Sequence, residues 1–291
     1  MRILITGAAG QLGAELCRLL GPAALGVDID TLDLTNGPAV LADVARMAPD
    51  AIIHCAAYTQ VDHAEVEPER CRAVNVGAVA SLAQACRRLD CPLVQISTDY
   101  VFGGPPDRGV PYREEDPPSP QGVYARTKLE GEHAAAEAPK HLIVRTCGLY
   151  ARPSHQEARN FVKTILRLAQ SKPKLRVVHD QTCTPSYVPH VSRAILFLLG
   201  VGGTGPAPWG TYHVTNRGAA TWYEFAGEIV RQAGLDVVLE PITTAEYGAA
   251  APRPGYSVLD TSAYHRLGGP AMPDWKIGLE EYLAELSRTQ P

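Results

Sequence analysis

Short apolar runs alternate with amphipathic stretches along the first half of the chain. Runs rich in β-branched residues predict strands, and apolar residues spaced three or four apart predict helices. The predicted strands lie at residues 2–6, 25–28, 51–57, 93–98 and 141–146. The predicted helices lie at residues 14–20, 37–47, 68–89 and from Tyr124 onward. This alternation predicts an α/β fold built on a doubly wound, Rossmann-like parallel sheet.

The second half of the chain has a less regular pattern and many prolines. Helices are predicted at residues 160–170, 190–199, 222–233 and 279–286, and strands at 175–179 and 211–214. We expect residues 1–149 to form a dinucleotide-binding domain, to which segments near 190–216 return. We expect residues 150–291 to form a smaller lobe that binds the substrate.

A glycine-rich turn follows the first predicted strand. Gly7, Gly10 and Gly13 are spaced G-x-x-G-x-x-G, and a predicted helix follows directly. Glycines let a ligand approach the backbone, and the free N–H groups at a helix start attract phosphate. The turn therefore predicts a site for a dinucleotide pyrophosphate, although its spacing differs from the usual G-x-G-x-x-G. The alternative is an ordinary turn without a ligand.

Asp28 ends the second predicted strand, where an acid can bind the ribose hydroxyls of NAD. The alternative is a loop acid in a segment that also holds Asp30 and Asp33. No arginine follows closely that could hold a 2′-phosphate, which tilts the prediction slightly toward NADH. The cofactor is expected to be NADPH or NADH.

Tyr124 and Lys128 lie four residues apart in a stretch predicted to be helical. That spacing places both on one helix face, where an ammonium group would lower the pKa of a phenol toward neutrality. A tyrosine tuned in this way can exchange a proton with an alcohol or carbonyl oxygen. Thr98, at the end of a predicted strand, is expected to point its hydroxyl into the same crevice. The alternative is a surface helix with two amphipathic side chains.

Composition excludes several other classes of function. The 291 residues carry a net charge of −4 without a basic run, so no nucleic-acid partner is expected. No apolar run approaches the ~18 residues of a membrane span, so no membrane partner is expected. The seven cysteines form no C-x-x-C pair, and the histidines form no H-E-x-x-H motif. We expect reduced thiols in a cytoplasmic protein without a protein-built transition-metal centre.

Several motifs together resemble the dTDP-4-dehydrorhamnose reductase family of the extended short-chain dehydrogenase/reductase superfamily. The resemblance extends over nearly the whole chain. It is carried, besides the glycine turn, by STDYVF at 97–102, VYARTKLEGE at 123–132, NFVKTILRLA at 160–169, DQ at 180–181, TWYEFA at 221–226, RP at 253–254 and PDW at 273–275.

The resemblance implies NAD(P)H-dependent reduction of the C4 ketone of a dTDP-4-keto-6-deoxy sugar, which yields dTDP-L-rhamnose. Tyr124 would protonate the developing alkoxide, Lys128 would hold the nicotinamide ribose, and Thr98 would bind the carbonyl oxygen. Cofactor contacts are implied at Gly7, Gly10, Gln11, Leu12, Gly13, Asp28, Asp33, Leu34, Ala56, Ala57 and Thr59. Sugar-nucleotide contacts are implied at Tyr100, Asn160, Asp180, Gln181 and Arg253. Helix capping and turn formation remain alternatives for Asn160 and Asp180.

Two departures from the family pattern affect the substrate and a metal ion. The family commonly has Ser-Trp after residue 146, and its tryptophan lies against the sugar, whereas this chain has Cys147-Gly148. Some members bind magnesium between glutamates at a dimer contact. Glu15 matches that pattern, but the segment around Tyr187 offers no second acid. Mg²⁺ therefore lacks a full ligand set, and no metal ligands are predicted. A homodimer is a separate expectation from the resemblance.

Other functions on the same scaffold are a 4,6-dehydratase, an epimerase, a reductase of another 4-keto-6-deoxy nucleotide sugar, or a non-catalytic regulatory subunit. A dehydratase of this superfamily would resemble Thr-Asp-Glu at 98–100, because elimination needs an additional acid. Tyr100 stands at the third position and argues against dehydration. The presence of both Tyr124 and Lys128 favours an enzyme over a regulatory subunit.

Overall fold

The computed structural model describes residues 1–155, 160–203 and 205–289. The first half contains β1 (Ile3–Thr6), α1 (Gln11–Leu20), β2 (Ala24–Val27), α2 (Gly37–Met47), β3 (Ala51–His54), α3 (Val61–Ala64), α4 (Pro68–Arg72), α5 (Ala78–Leu89), β4 (Leu93–Thr98), α6 (Gly122–Ala136), β5 (His141–Thr146) and β6 (Leu149–Tyr150). The second half contains α7 (Phe161–Ser171), β7 (Lys174–Val178), β8 (Thr182–Cys183), β9 (Ser186–Tyr187), α8 (Val188–Leu198), β10 (Gly210–His213), β11 (Ala220–Thr221), α9 (Trp222–Gln232), β12 (Val238–Ile242), α10 (Thr244–Tyr247), α11 (Ser262–Arg266) and α12 (Trp275–Thr289).

Six strands form a central parallel sheet in the order β10-β5-β4-β3-β1-β2. The predicted α/β class with a doubly wound sheet is confirmed. The chain runs outward from β1 to β2 and then returns to β3 on the other side of β1. In open α/β sheets, a ligand crevice forms outside the carboxyl ends of the strands where the order reverses.

Apolar side chains cover both faces of this sheet. One cluster joins Ile3, Ile5 and Ile53 to α1 and α8, and another joins Leu4 and Ile52 to α2 and α5. Strands that are buried on both faces read as continuous apolar runs, which is why the sequence pattern located them well. No helix in the described residues is long and apolar enough to cross a membrane.

The helix predicted over residues 68–89 is interrupted by a π-helical turn at Ala73–Gly77. Asn75 lies buried in this turn, accepts a hydrogen bond from the Tyr58 backbone N–H at 2.9 Å, and donates to the Thr127 hydroxyl at 3.1 Å. The turn therefore ties the loop after β3 to helix α6. Such π-turns often occur at functional sites.

Outside the central sheet, short strand pairs pack on helices: β6 with β9, β7 with β12, and β8 with β11. We call these pairs, with α7, α9 and α12, the second lobe. Its core is aromatic and includes Tyr150, Tyr187, Phe225, Trp275 and Tyr282. Two-residue strands carry no period that a pattern can detect, so the sequence missed most of these pairs. The last helix is longer than predicted, because α12 begins at Trp275.

Candidate active site

A cavity of about 1160 Å³ runs along the carboxyl edge of the sheet and into the second lobe. This volume exceeds the ~300–1,000 Å³ that is typical of a pocket for one small ligand. The predicted site residues that line it are Gly7, Gly10, Gln11, Leu12, Asp28, Asp33, Leu34, Ala56, Ala57, Thr59, Thr98, Tyr100, Tyr124, Lys128 and Gln181. The cavity therefore brings together the glycine turn, the Tyr-Lys pair and part of the second lobe.

The glycine turn is packed too tightly for side chains. Gly7 has a positive φ of 68°, and a Cβ there would lie 2.7 Å from the Ala56 backbone nitrogen. A Cβ on Gly13 would lie 2.1 Å from the Gly7 carbonyl oxygen. Gly13 does not line the cavity, and its missing side chain lets α1 start directly beside the turn. Its cofactor contact stays a prediction. The resulting cradle at the N-terminus of α1 fits a pyrophosphate.

Asp28 fixes this turn from the end of β2. Its carboxylate accepts hydrogen bonds from the backbone N–H groups of Ala9 and Ile29, both at 2.9 Å. Asp33 accepts from the Thr35 N–H at 2.9 Å and the Thr35 hydroxyl at 2.7 Å. Both acids line the cavity and remain candidates for the adenosine end of a dinucleotide.

Consecutive residues of β4 hold helix α6 in register. The Lys128 ammonium donates to the Ile96 carbonyl oxygen at 2.7 Å, and the Ser97 hydroxyl donates to Glu132 at 2.5 Å. Thr98 follows at the end of the strand and lines the cavity together with Tyr124 and Lys128. Since Tyr124, Lys128 and Glu132 are spaced by one helical turn, one helix face meets one strand end. The Thr98, Tyr124 and Lys128 set that the sequence predicted is thus assembled at one end of the sheet.

Glu132 forms a buried ion pair with Arg145. Arg145 donates to both carboxylate oxygens at 2.9 and 2.7 Å, and the two side chains are 6% and 4% exposed. Arg145 faces Ser97 across the β4–β5 ladder. This unit ties α6 to β4 and β5.

The predicted effect of Lys128 on Tyr124 is wrong for the protein as it stands. Burial raises the pKa of the Tyr124 phenol above its usual value, and the neighbouring Thr98 hydroxyl opposes that rise. Burial also lowers the pKa of Lys128 to about 8. The argument from helix spacing took no account of desolvation, which disfavours the phenolate and the ammonium alike. A protonated Tyr124 is the form that acts as an acid.

Asp99 is fully enclosed beside the reactive set. It accepts hydrogen bonds from Thr98 at 3.1 Å, Ser257 at 2.5 Å and the Cys147 thiol at 2.9 Å. Burial raises the pKa of its carboxyl group, and these hydrogen bonds oppose the rise. The Thr98 oxygen also accepts a hydrogen bond from the Tyr100 backbone N–H at 3.2 Å.

Tyr100 and Gln181 are the predicted substrate residues that line the cavity, and the Tyr100 ring meets the Tyr124 ring edge-on at 5.8 Å. Asn160 instead caps α7 by accepting from the Lys163 N–H at 2.9 Å. Asp180 accepts hydrogen bonds from Thr244. Capping therefore describes Asn160 as the structure places it, whereas Asp180 holds Thr244, 64 residues away, and forms no turn with it. The substrate contacts of both residues stay predictions.

Arg253 is engaged by a carboxylate rather than free to face the cavity. Its guanidinium donates to both oxygens of Asp62 at 2.9 and 2.7 Å. The neighbouring Pro254 lines the cavity, while Arg253 does not. The ion pair joins the α3 segment to residues 251–253, where Asp62 also accepts from the Ala251 N–H at 3.0 Å.

Trp222 is a cavity residue that the sequence reasoning missed as a site residue. It is half-buried at the start of α9 and lines the second-lobe wall. Residues 221–226 belong to a motif that carries the family resemblance. No local sequence pattern, however, indicates that Trp222 lines the cavity. Gly148 also lines the cavity, has a φ of 55°, and would place a Cβ 3.2 Å from the Pro185 Cα. A bulky side chain is therefore strained at 148.

Glu15 is not free to bind a metal ion. Its carboxylate accepts from Arg18 at 2.8 Å and from Arg152 at 3.0 Å, and Arg152 also donates to Glu285 at 2.5 Å. In residues 1–155, 160–203 and 205–289, no group of three His, Cys, Asp or Glu side chains could hold a metal. Arginine charges neutralise the acids at this contact, so the chemistry of the donor set does not fit Mg²⁺.

Comparison with known proteins gives matches over nearly the full chain. The model of the RmlD substrate binding domain family matches residues 1–288. The dTDP-4-dehydrorhamnose reductase of Streptomyces griseus is 40% identical over 96% of this chain and 92% of its own length. The spore coat polysaccharide biosynthesis protein SpsK of Bacillus subtilis is 38% identical over 98% of both. The crystal structure of Bacillus anthracis dTDP-4-dehydrorhamnose reductase in complex with NADP is 39% identical, covers 98% of this chain and 99% of its own, and superposes with a TM-score of 0.91.

Proposed function

The chain belongs to the RmlD substrate binding domain family, and we propose that it reduces the C4 ketone of dTDP-4-dehydro-L-rhamnose to dTDP-L-rhamnose with NAD(P)H. The observation that carries the proposal is the assembly of Thr98, Tyr124 and Lys128 on one wall of the large cavity. Residues 1–149 would hold the cofactor and residues 150–291 the sugar nucleotide.

The fit of a dinucleotide rests on the cradle formed by the glycine turn, whose backbone a Cβ at Gly7 or Gly13 would displace. Gly7, Gly10, Gln11, Leu12, Asp28, Asp33, Leu34, Ala56, Ala57 and Thr59 would hold the dinucleotide. Bound there, the nicotinamide supplies the hydride. Every other step falls to residues of the chain.

The proposed roles of the reactive side chains follow from their contacts. Thr98 turns its hydroxyl proton from Asp99 to the substrate carbonyl oxygen. Tyr124 gives its proton to that oxygen as it becomes an alkoxide. Oriented donors and proton transfer of this kind each lower a barrier by several kcal/mol in comparable sites, on the order of 10²–10⁴-fold in rate. Lys128, held at the Ile96 carbonyl, keeps a positive charge beside the site while it is protonated.

Arg253 and Gln181 are proposed sugar-nucleotide ligands. For Arg253 this requires the guanidinium to exchange or share its Asp62 partner with the diphosphate, whose oxygens its planar fork matches. We further propose that the enzyme works in the cytoplasm without a nucleic-acid partner. A homodimer stays a prediction from family resemblance.

The test is nicotinamide absorbance with freshly made dTDP-4-dehydro-L-rhamnose, run with NADPH and with NADH. Binding of each cofactor is measured separately by titration. Oxidation of either cofactor that depends on the sugar supports the proposal. Protein that binds cofactor yet oxidises neither would overturn it and favour a regulatory subunit.

A second candidate is reduction of another 4-keto-6-deoxy nucleotide sugar. Gly148 favours it, because the wall at this position lacks a side chain and the backbone there is strained for any larger residue. Rates with a panel of 4-keto-6-deoxy sugars on the same nucleotide separate the two. A higher kcat/KM for a sugar other than the rhamnose precursor would select the second candidate.

A further inference from the structure

We propose that Trp222 and Gln181 form the subsite for the base of the sugar nucleotide, and that the subsite selects a base with an imide N–H, thymine or uracil. The inference rests on the proposed function. A sugar that reacts at Tyr124 leaves the rest of its nucleotide to occupy the cavity beyond the cofactor end. The second-lobe wall there contains Gln181, Thr182, Cys183 and Trp222.

The two residues are neighbours because of a short antiparallel pair. Thr221 of β11 faces Thr182 of β8. Continued by one residue, this register brings Trp222 opposite Gln181. Both residues line the same cavity.

Trp222 has a fixed ring with surface left for a ligand. A capping box between Thr221 and Glu224 sets the start of α9. The Trp222 ring packs against Phe161 at 4.8 Å, and the residue remains half-buried. Among the cavity residues described beyond 150, it is the one Phe, Tyr or Trp side chain. A flat ring held in this way suits stacking against a nucleobase.

A chain of hydrogen bonds fixes which end of the Gln181 amide is free. The Thr244 hydroxyl donates to Asp180 at 2.6 Å. Having committed its proton, that oxygen can only accept, and it accepts from the Gln181 Nε2 at 3.0 Å. The Gln181 carbonyl oxygen accepts no hydrogen bond from the described residues and is not closed off in the interior. Asp180 thus acts through Thr244 as a positioning residue.

A fixed carbonyl acceptor distinguishes the pyrimidine bases. Thymine and uracil carry a hydrogen on N3 and can donate it to Gln181. Cytosine presents a bare nitrogen at N3, so two acceptors would oppose each other. A buried polar group left without a partner is costly, which turns this difference into selectivity.

The test uses enzyme saturated with NADP⁺ and titrated with dTDP, dUDP, dCDP or pyrophosphate, followed by tryptophan fluorescence and calorimetry. We expect dTDP and dUDP to quench the fluorescence and to bind alike, with dCDP at least roughly tenfold weaker and pyrophosphate without quenching. Trp222→Leu should lose the quenching and weaken dTDP binding by roughly 5- to 100-fold. Trp222→Phe should lose the quenching while it retains binding.

Two further variants complete the design. Trp209, which is 37% exposed and outside the cavity, gives the matched control Trp209→Phe, expected to behave as wild type. Thr244→Val frees the Gln181 amide to rotate, so the preference for dTDP over dCDP should shrink toward equality. Melting curves for each variant establish that it is folded.

Equal affinity of wild-type enzyme for dTDP and dCDP would overturn the base selection. Unchanged dTDP affinity in folded Trp222→Leu would overturn the stacking role. These are binding measurements without turnover, so they are independent of whether NAD(P)H is oxidised. Normal base binding in a protein that reduces no sugar would count against the proposed function alone.

Discussion

The Lys128 ammonium lies 2.7 Å from the carbonyl oxygen of Ile96, inside the protein and one helical turn from Tyr124. This contact fixes a charged group at the edge of the cavity two residues before Thr98. Its cost is visible in the pKa of Lys128, which burial lowers to about 8. Positive charge is therefore available at neutral pH but is lost in mildly alkaline solution.

We predict a matching alkaline limb in activity. As pH rises through about 8, Lys128 loses its proton, and kcat/KM for the nicotinamide cofactor should fall. Lys128→Arg keeps its charge throughout this range because the guanidinium pKa exceeds ~12. The pH profile of kcat/KM for Lys128→Arg should therefore lack the fall near pH 8, even if its overall rate is lower. The same limb in both proteins would show that another group controls it.

The pH dependence of the unfolding free energy tests the lowered pKa of Lys128 independently. Between about pH 8 and the unfolded value of 10.5, the unfolded chain holds the Lys128 proton and the folded chain does not. Unfolding then takes up a proton, so stability rises with pH in that window. The unfolding free energy of wild type relative to Lys128→Met should rise accordingly, measured by urea titration. A difference that is flat with pH would mean that Lys128 is not desolvated.

Removal of the Tyr124 hydroxyl should separate binding from chemistry. Tyr124→Phe keeps the ring that packs on Tyr100 but has no proton to donate. We expect kcat to fall by ~10²–10⁴-fold while the cofactor Kd stays within about twofold. Turnover near the wild-type rate would remove Tyr124 as the acid.

The ion pair behind α6 should be important for folding. Glu132→Gln leaves the Arg145 guanidinium buried without its carboxylate, which costs ~3–5 kcal/mol in comparable cases. Glu137→Gln is the control, because Glu137 is 72% exposed and its pairing with Arg87 is worth under ~1 kcal/mol. Chemical denaturation measures both. Equal, small losses would contradict the structural role given to Glu132.

A methyl group at Gly13 should destroy the cofactor cradle. Gly13→Ala places a Cβ 2.1 Å from the Gly7 oxygen, so the turn must move. We expect at least a roughly tenfold weaker NADPH Kd and a loss of ~1–3 kcal/mol in stability. Gly77→Ala, where a Cβ meets no atom within 4 Å, is the control. Unchanged NADPH affinity in Gly13→Ala would refute the cradle.

The parts of the fold that follow from the sequence are those with strong local patterns. The predicted bounds of α2, β4 and β5 agree with the structure at both ends, because apolar runs and helix periodicity mark them. The π-turn at Ala73–Gly77 was missed, since it depends on contacts of Asn75 with Tyr58 and Thr127 that are distant in sequence. The two-residue strands of the second lobe were missed because they are too short to show a period.

The site residues likewise differ in whether a local sequence pattern could locate them. Thr98, Tyr124, Lys128 and the glycine turn could be located because each follows a strand or shares a helix face. Asp180 and Arg253 could be named from resemblance, yet their partners Thr244 and Asp62 lie 64 and 191 residues away in the chain. The pKa of Tyr124 was misjudged, because burial cannot be read from the Tyr-x-x-x-Lys spacing.

The central claim is hydride delivery to C4 of a sugar nucleotide at Tyr124. Its most direct test is transfer of deuterium from NADPH, or NADH, that carries deuterium at both C4 positions to dTDP-4-dehydro-L-rhamnose, with the product analysed by NMR. The account predicts one deuterium at C4 of dTDP-L-rhamnose from wild-type enzyme, and at least ~100-fold less product from Tyr124→Phe. A product without deuterium at C4 would contradict it.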